Sequence, residues 1–88
     1  MSETFGQWLA RLRRQRGWSQ RQLAERLSVA ALCPTVTRNE VSRWECGGRT
    51  PDAFWCAWLA DTLNVSYGEL LAARSGRVPT APAHRDPV

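Results

Sequence analysis

The stretch TRNEVSRWECGG, residues 37–48, combines a helix cap, a helical apolar pattern and a closing pair of glycines. Thr37 is a good N-cap residue and glycine favours the turn that ends a helix, so we predict a helix over residues 38–46. Successive side chains on a helix are rotated by about 100°, which places Thr37, Val41 and Trp44 on one side. We expect that side to pack on neighbouring helices.

The opposite side of this helix carries Asn39, Arg43 and Cys46, flanked by Arg38 and Ser42. Arginine can pair with the O6 and N7 atoms of guanine, and asparagine with N6 and N7 of adenine. A second helix that exposes such residues matches a helix-turn-helix, whose second helix enters the major groove. An amphipathic helix with a merely solvated polar face would show the same period, so the pattern alone leaves both interpretations open.

Two helices are predicted before this stretch. An apolar stripe at positions i, i+3, i+4 and i+7 indicates a first helix that ends near Gly17; its members are Phe5, Trp8, Leu9 and Leu12. Ser19 and Gln22 form a capping box that starts a second helix over residues 20–28. The inward positions of that helix are Leu23, Ala24 and Leu27.

Residues 28–36 show no clear period, and Pro34 disfavours helical backbone at the residue before it, so this segment is predicted to be a connector. Pro51 suits the first position of a fourth helix, and Asp52 suits its positive end. Large apolar side chains surround much of this helix: Phe54, Trp55, Trp58, Leu59 and Leu63.

A further capping box, Ser66 with Glu69, predicts a short fifth helix over residues 67–74. Residues 75–88 hold three prolines and almost no large apolar side chains, so we expect a flexible tail there. Neither a strand pattern nor a repeat is visible. The predicted fold class is therefore all-α, with one compact five-helix domain over residues 1–74 that contains a helix-turn-helix.

The chain has a formal net charge of +4, and all twelve basic residues are arginine. Six of them crowd the first third of the chain: Arg11, Arg13, Arg14, Arg16, Arg21 and Arg26. A clustered basic patch is the usual electrostatic footprint of a polyanion binder, although a solvated surface can carry the same charge.

Several function classes are disfavoured. The three cysteines form no C-x-x-C pair and the one histidine, His84, lies in the tail, so no metal site or disulfide is expected. The chain has no Gly-rich phosphate loop, paired-carboxylate motif or Ser/His/Asp set, so we predict neither an enzyme nor a cofactor. With no apolar run of about 18 residues and no signal peptide, we expect a cytoplasmic protein.

The segments RLRRQRGWSQRQLAERL (11–27) and VTRNEVSRWECGGRTP (36–51) together resemble the phage repressor and Cro family, the Xre-type helix-turn-helix proteins. The closing segment of that family is similar to LADTLNVSYGELL (59–71). The resemblance implies a repressor-like fold and a transcriptional regulator, expected to be a repressor, that binds double-stranded DNA. It also implies a pseudo-palindromic site bound by a dimer.

The resemblance assigns roles to individual positions. Arg38, Asn39 and Arg43 match the residues that read bases in the family. Gln20 matches a glutamine that binds a phosphate and braces the recognition helix, and Thr37 matches a cap residue close to DNA. Further contacts to the DNA backbone are expected from Arg14, Arg21, Ser42 and Arg49. The resemblance also implies an ion pair between Glu45 and Arg13, which would make that arginine structural.

Two departures from the family pattern bear on these assignments. The connector is longer than the usual turn by about seven residues. It either loops away, so that Val36 and Thr37 restore the usual approach to the third helix, or it repacks and tilts that helix. The other departure is Glu40, an acid in a helix expected to enter a polyanion's groove. It either accepts from cytosine N4 or points sideways, and we favour the second.

The fourth helix has more apolar surface than one small core can cover, and exposed apolar patches often mark interfaces. We therefore expect homodimerisation through the fourth and fifth helices, in the region of Trp55, Trp58 and Leu59. Burial under the long connector, including Leu32, is the alternative. The same surface leaves open a second function, an antitoxin or accessory module of the same fold that engages a protein partner.

Overall fold

The computed structural model describes residues 3–78, which form five α-helices and, within that range, no strand. In chain order they are α1 (Phe5–Gln15), α2 (Gln20–Ala31), α3 (Arg38–Cys46), α4 (Ala53–Leu63) and α5 (Tyr67–Arg74). The all-α prediction and the predicted bounds of α3 and α5 are confirmed. Most of the predicted tail lies outside the described residues, and Val78, near the end of the described range, packs against the core.

Local capping explains where most helices begin. The predicted capping boxes of Ser19 with Gln22 and of Ser66 with Glu69 both form, each hydroxyl accepting from the backbone N–H three residues later. A third capping box, Thr4 with Gln7, starts α1 in the same way. Its T-x-x-Q spacing is visible in the sequence, so this capping box could have been predicted.

The predicted end of the second helix at residue 28 is wrong, because α2 continues to Ala31. Leu32 adopts a left-handed conformation with φ of 52°, and the N–H groups of Leu32 and Cys33 both donate to the Ser28 carbonyl. Pro34 restricts only the residue before it, so it does not reach back to the last turn of α2. The irregular connector is therefore residues 32–37.

The start of the fourth helix also differs from the prediction. Pro51 is not the first helical residue; it is buried and precedes the N-cap. Asp52 is the N-cap, and its carboxylate accepts a hydrogen bond from the Trp55 N–H at 3.0 Å. Since an N-cap carboxylate satisfies a free N–H group and faces the positive end of the helix, Asp52 accounts for this boundary.

The core forms where α3 packs on α1 and α2, and where α4 packs on α2 and α5. The apolar stripe predicted for α1 and the inward positions predicted for α2 are all buried. Further core residues come from the later helices: Val41, Trp44, Cys56, Leu59, Leu63 and Leu70. The burial of the Cys56 thiol raises its pKa, although Arg74 beside it partly opposes the shift.

Candidate nucleic-acid interface

Helix α3 is fixed to the domain by its inner side. Val41 and Trp44 are almost completely buried, as the helical period predicted, and both belong to the main core cluster. Thr37 does not share that burial: it is exposed, and it caps α3 without a side-chain hydrogen bond. The N-cap lies where α3 emerges from the core, so its side chain can reach solvent. Val36, one residue earlier, is the buried residue at this entry.

A buried ion pair also holds the last turn of α3. The Arg13 guanidinium donates to both carboxylate oxygens of Glu45, at 2.7 and 3.0 Å, and the two side chains are only 9% and 5% exposed. Arg13 also donates to the Trp18 carbonyl at 2.8 Å. The pair implied by the family resemblance is confirmed, and Arg13 is accordingly a structural residue that connects α1, the following turn and α3.

Gln20 joins the same network from the start of α2. Its amide nitrogen donates to the Glu45 carboxylate at 3.0 Å, so the first turn of α2 is hydrogen-bonded to the last turn of α3. This contact agrees with the bracing role that the resemblance implied for Gln20. The side chain is only partly buried and therefore remains next to solvent.

The backbone of α1 approaches α3 closely at Gly6. A Cβ atom at this position would overlap the carbonyl oxygen of Glu45 and would lie 2.9 Å from that of Trp44. Glycine is therefore required here by contact between helices, since the residue itself is helical. A glycine inside a predicted helix is the signal in the sequence, but the sequence does not indicate which neighbour it meets.

The outer side of α3 presents the three predicted base-reading residues together. Arg38, Asn39 and Arg43 are all exposed, and Cys46 is exposed on the same helix. Ser42 is half-buried, so its side chain is less available than those three. A rigid inner side and an outer side with long hydrogen-bonding side chains are what groove reading needs.

The beginning of α3 borders an open groove against α2. Its lining includes Arg21 and Ser28 from α2, and Thr37, Arg38 and Asn39 from the α3 end. The groove therefore brings a predicted backbone-contacting arginine beside two predicted base-reading residues. Ser28 donates to the Val36 carbonyl at 3.2 Å, which closes the connector beside this groove. Val36 is buried and Trp44 faces the core, as in the alternative in which residues 36 and 37 lead into α3 in the usual way. The extra residues do not all loop away, however, because α2 continues to Ala31.

The basic cluster of the first third divides into two groups. Four of its arginines have partners within the domain: Arg11 pairs with Glu3, Arg13 with Glu45, Arg16 donates to the Leu63 carbonyl, and Arg26 lies 4.5 Å from the centre of the Trp18 ring. Arg14 is exposed, and Arg21 makes only an exposed pair with Glu25 at 3.4 Å. Arg14 and Arg21 are thus the members of the cluster most available to an external anion.

Glu40 lies on the flank of α3, as favoured from its position in the sequence. Its carboxylate oxygens lie 3.9 Å from Nη1 of Arg43 and 3.7 Å from Nε of Arg49. Sequence reasoning missed this three-residue cluster. The i, i+3 spacing to Arg43 could have indicated half of it, whereas the contact to Arg49 depends on the path of the chain after α3.

The surface of α4 is partly apolar. Phe54 is 50% exposed, and Trp55 and Trp58 are half-buried against the core. Two expectations for this surface are wrong. Leu59 is completely buried in its own core and is not available to a dimer partner, and Leu32 is 89% exposed and does not cover α4.

Comparison with known proteins places this architecture in a family. A family model described as a helix-turn-helix domain matches residues 4–73. No curated protein and no solved structure matched the chain significantly. Among residues 3–78, no helix is long and apolar enough to cross a membrane, and no cluster of three potential metal ligands occurs. Because the matched segment spans most of the chain, from the N-cap of α1 into the last turn of α5, the chain belongs to the helix-turn-helix domain family.

Proposed function

We propose that this protein is a sequence-specific, double-stranded DNA-binding transcriptional regulator of the phage repressor and Cro type, acting as a repressor in the prokaryotic cytoplasm, at the nucleoid. Helix α3 enters the major groove, where Arg38, Asn39 and Arg43 contact bases. The observation that carries the proposal is the division of α3 into an anchored inner side and an exposed outer side with these three residues.

The residue types on the outer side suit direct readout. A guanidinium can donate two hydrogen bonds to one guanine, and a carboxamide can both donate to and accept from one adenine. Each such pair discriminates against the wrong base by about 1–3 kcal/mol. Three reading residues on one short helix therefore support recognition of a short half-site.

Backbone contacts supply the sequence-independent part of the affinity. We assign these contacts to residues at the edges of α3 and at the starts of its neighbours: Gln20, Arg21, Thr37, Ser42, Arg14 and Arg49. Of these, Ser42 is the least exposed. Contacts between arginine and phosphate release counterions, so the affinity should fall steeply as salt rises.

The proposed assembly is a homodimer on a pseudo-palindromic site, formed through α4 and α5. The partly exposed aromatic surface at Phe54, Trp55 and Trp58 supports it, since large aromatic side chains are enriched in interfaces. Two recognition helices related by a two-fold axis would read half-sites about 34–36 Å apart. With Leu59 inside the core, the two tryptophans and Phe54 form the interface.

Selection of bound sites from random double-stranded DNA, at two salt concentrations, tests the proposal. We expect a two-fold symmetric motif with half-sites one helical turn apart and an affinity that drops at the higher salt. Weak binding without sequence preference at both salt concentrations would contradict direct readout by α3.

A matched pair of variants tests the interface separately. Phe54→Ser should lower the self-association constant measured by sedimentation equilibrium and the cooperativity of DNA binding. Leu32→Ser removes an apolar side chain that is 89% exposed and lies outside α4, and it should change neither. A wild-type protein that stays monomeric at high concentration and binds DNA without cooperativity would contradict the dimer.

The exposed aromatic surface of α4 also supports a second candidate function, an antitoxin or accessory module that binds a protein partner. The two functions can coexist, because one face of the domain would bind DNA and another the partner. A toxin-like reading frame beside the gene, together with sequence-blind DNA binding, would favour this candidate over the regulator.

A further inference from the structure

An acidic side chain stands within the surface that faces DNA in the proposed complex. Glu40 is 26% exposed, and its carboxylate lies between the guanidinium groups of Arg43 and Arg49. One of these arginines is a proposed base reader and the other a proposed phosphate contact. A carboxylate in this position is unfavourable for binding any polyanion, so the affinity for DNA in general does not explain it.

The chain path after α3 is what brings the two arginines to the same acid. Gly47 adopts a left-handed conformation with φ of 84°, and the N–H groups of Gly47 and Gly48 both donate to the Arg43 carbonyl. This turn reverses the chain at the end of α3. The chain therefore runs back beside α3, and Arg49 reaches Glu40. Glu40 precedes Arg43 by three positions in the sequence.

We propose that Glu40 is a specificity-determining positioning residue, an inference that rests on the proposed function. Its carboxylate attracts the Arg43 guanidinium at 3.9 Å without a hydrogen bond, which biases that side chain toward one position on α3 and leaves its N–H groups free for the base edge. The same negative charge repels phosphates that approach Arg49 away from the correct register. Glu40 therefore weakens binding to all DNA but weakens non-specific binding more, which raises the ratio of specific to non-specific affinity.

Electrostatics supports both parts of this role. Arginine has a flexible side chain whose ordering costs free energy, and a neighbouring carboxylate that favours one position of it reduces the cost of pairing with guanine. In water, a single negative charge about 6 Å from a phosphate repels it by enough to lower the affinity for DNA by about threefold. Discrimination against wrong partners through like charges is a general device for specificity.

The test compares Glu40→Gln with Glu3→Gln. Both substitutions raise the net charge by one and remove a carboxylate from an arginine, but the partner of Glu3 is Arg11 on α1, which has no proposed contact with DNA or with a dimer partner. For Glu40→Gln we expect non-specific affinity about threefold above that of Glu3→Gln and a steeper salt dependence. We also expect the base preference at the position read by Arg43 to fall by about fivefold.

Two outcomes would overturn the inference. If Glu40→Gln has the same motif and salt dependence as Glu3→Gln, the carboxylate does not act on Arg43 or Arg49. If the variant loses a cytosine preference at a base pair that Arg43→Ala leaves intact, Glu40 reads a base directly and is not a positioning residue.

Failure of the inference is distinguishable from failure of the proposed function. If the wild-type protein selects no motif, the proposed function as a sequence-specific regulator is wrong. If it selects a motif that Glu40→Gln leaves unchanged, only the role of Glu40 is wrong. Arg49→Gln gives an independent measurement, since it should weaken all DNA binding while leaving the base preference at the Arg43 position in place.

Discussion

The two sides of α3 differ in how strongly their side chains are held. On the inner side, Trp44 is buried in the core and Glu45 accepts short hydrogen bonds from Arg13 and Gln20. On the outer side, Arg43 is exposed and its nearest acid is 3.9 Å away. The difference indicates a division of roles: substitutions on the inner side should change folding, and substitutions on the outer side should change what the folded domain binds.

The largest effect is expected at Trp44. Replacing it with alanine removes most of a fully buried indole, so Trp44→Ala should lower the free energy of unfolding by about 4 kcal/mol. Urea denaturation followed by circular dichroism measures the loss. Trp44→Phe should cost clearly less, because the indole N–H is buried without a hydrogen-bond partner among the described residues and its removal breaks no bond. Equal losses in the two variants would contradict this packing role.

The buried ion pair should come next. Breaking a buried pair by removing one partner leaves an uncompensated charge, so Glu45→Gln should lower the free energy of unfolding by about 3 kcal/mol. A double-mutant cycle with Arg13→Met measures how much of that loss is shared by the two residues. If the two single effects simply add, the side chains are not coupled, and the inner side of α3 is held by apolar packing alone.

The close approach of α1 to α3 predicts a smaller effect. Gly6→Ala should destabilise the domain by about 2 kcal/mol, because the added methyl group must push the backbone at Glu45 away. Gly68 provides the control: it is exposed in α5, and its added methyl group would meet only the Ser66 hydroxyl at 4.0 Å. Gly68→Ala should be neutral or slightly stabilising, since alanine favours a helix. Thermal denaturation of both variants measures the contrast.

Among the contacts that hold the fold, the smallest effect is expected from the partly exposed pair of Glu3 and Arg11. The Arg11 side chain donates to the Glu3 carboxylate at 2.9 Å and holds the pKa of that carboxyl below its usual range. A lowered pKa in the folded state means that this stabilisation is complete above the pKa of the unfolded chain and disappears as pH falls through the folded value. Because solvent screens the pair, Glu3→Gln should cost less than about 1 kcal/mol at neutral pH.

The stability difference between wild type and Glu3→Gln, measured by urea denaturation, should therefore shrink as the solution is acidified from the usual glutamate pKa to the lower pKa of the folded state. A difference that grows on acidification would have the wrong sign for a hydrogen-bonded carboxylate and would contradict the assigned contact.

Local signals in the sequence predicted most of the helices and the orientation of α3. Capping residues and the apolar period decided these features because they act over three or four residues. The predicted α2 was about one turn too short. Val29 and Leu32 are apolar residues at exposed positions, so they obscure the helical period there. Exposure of that kind depends on what the rest of the chain covers, which no local pattern contains.

The candidate site was predictable to different degrees. The outward placement of Asn39 and Arg43 followed from the helical period, and the pair of Arg13 with Glu45 from the family resemblance. The approach of Arg49 to Glu40 depends on the left-handed turn at Gly47 and on where the chain returns. The contact of Gly6 with α3 depends on the distance between two helices. Both are tertiary features, so neither could be inferred from spacing.

The measurement that tests the central claim most directly is site selection from random double-stranded DNA with wild type and Arg43→Ala, alongside the stability of both proteins. Since Arg43 is exposed, its replacement should change the free energy of unfolding by less than about 0.5 kcal/mol. We expect the variant to select the same two-fold motif with the preference lost at one base pair of each half-site. An unchanged motif in the folded variant would contradict the claim that the outer side of α3 reads DNA.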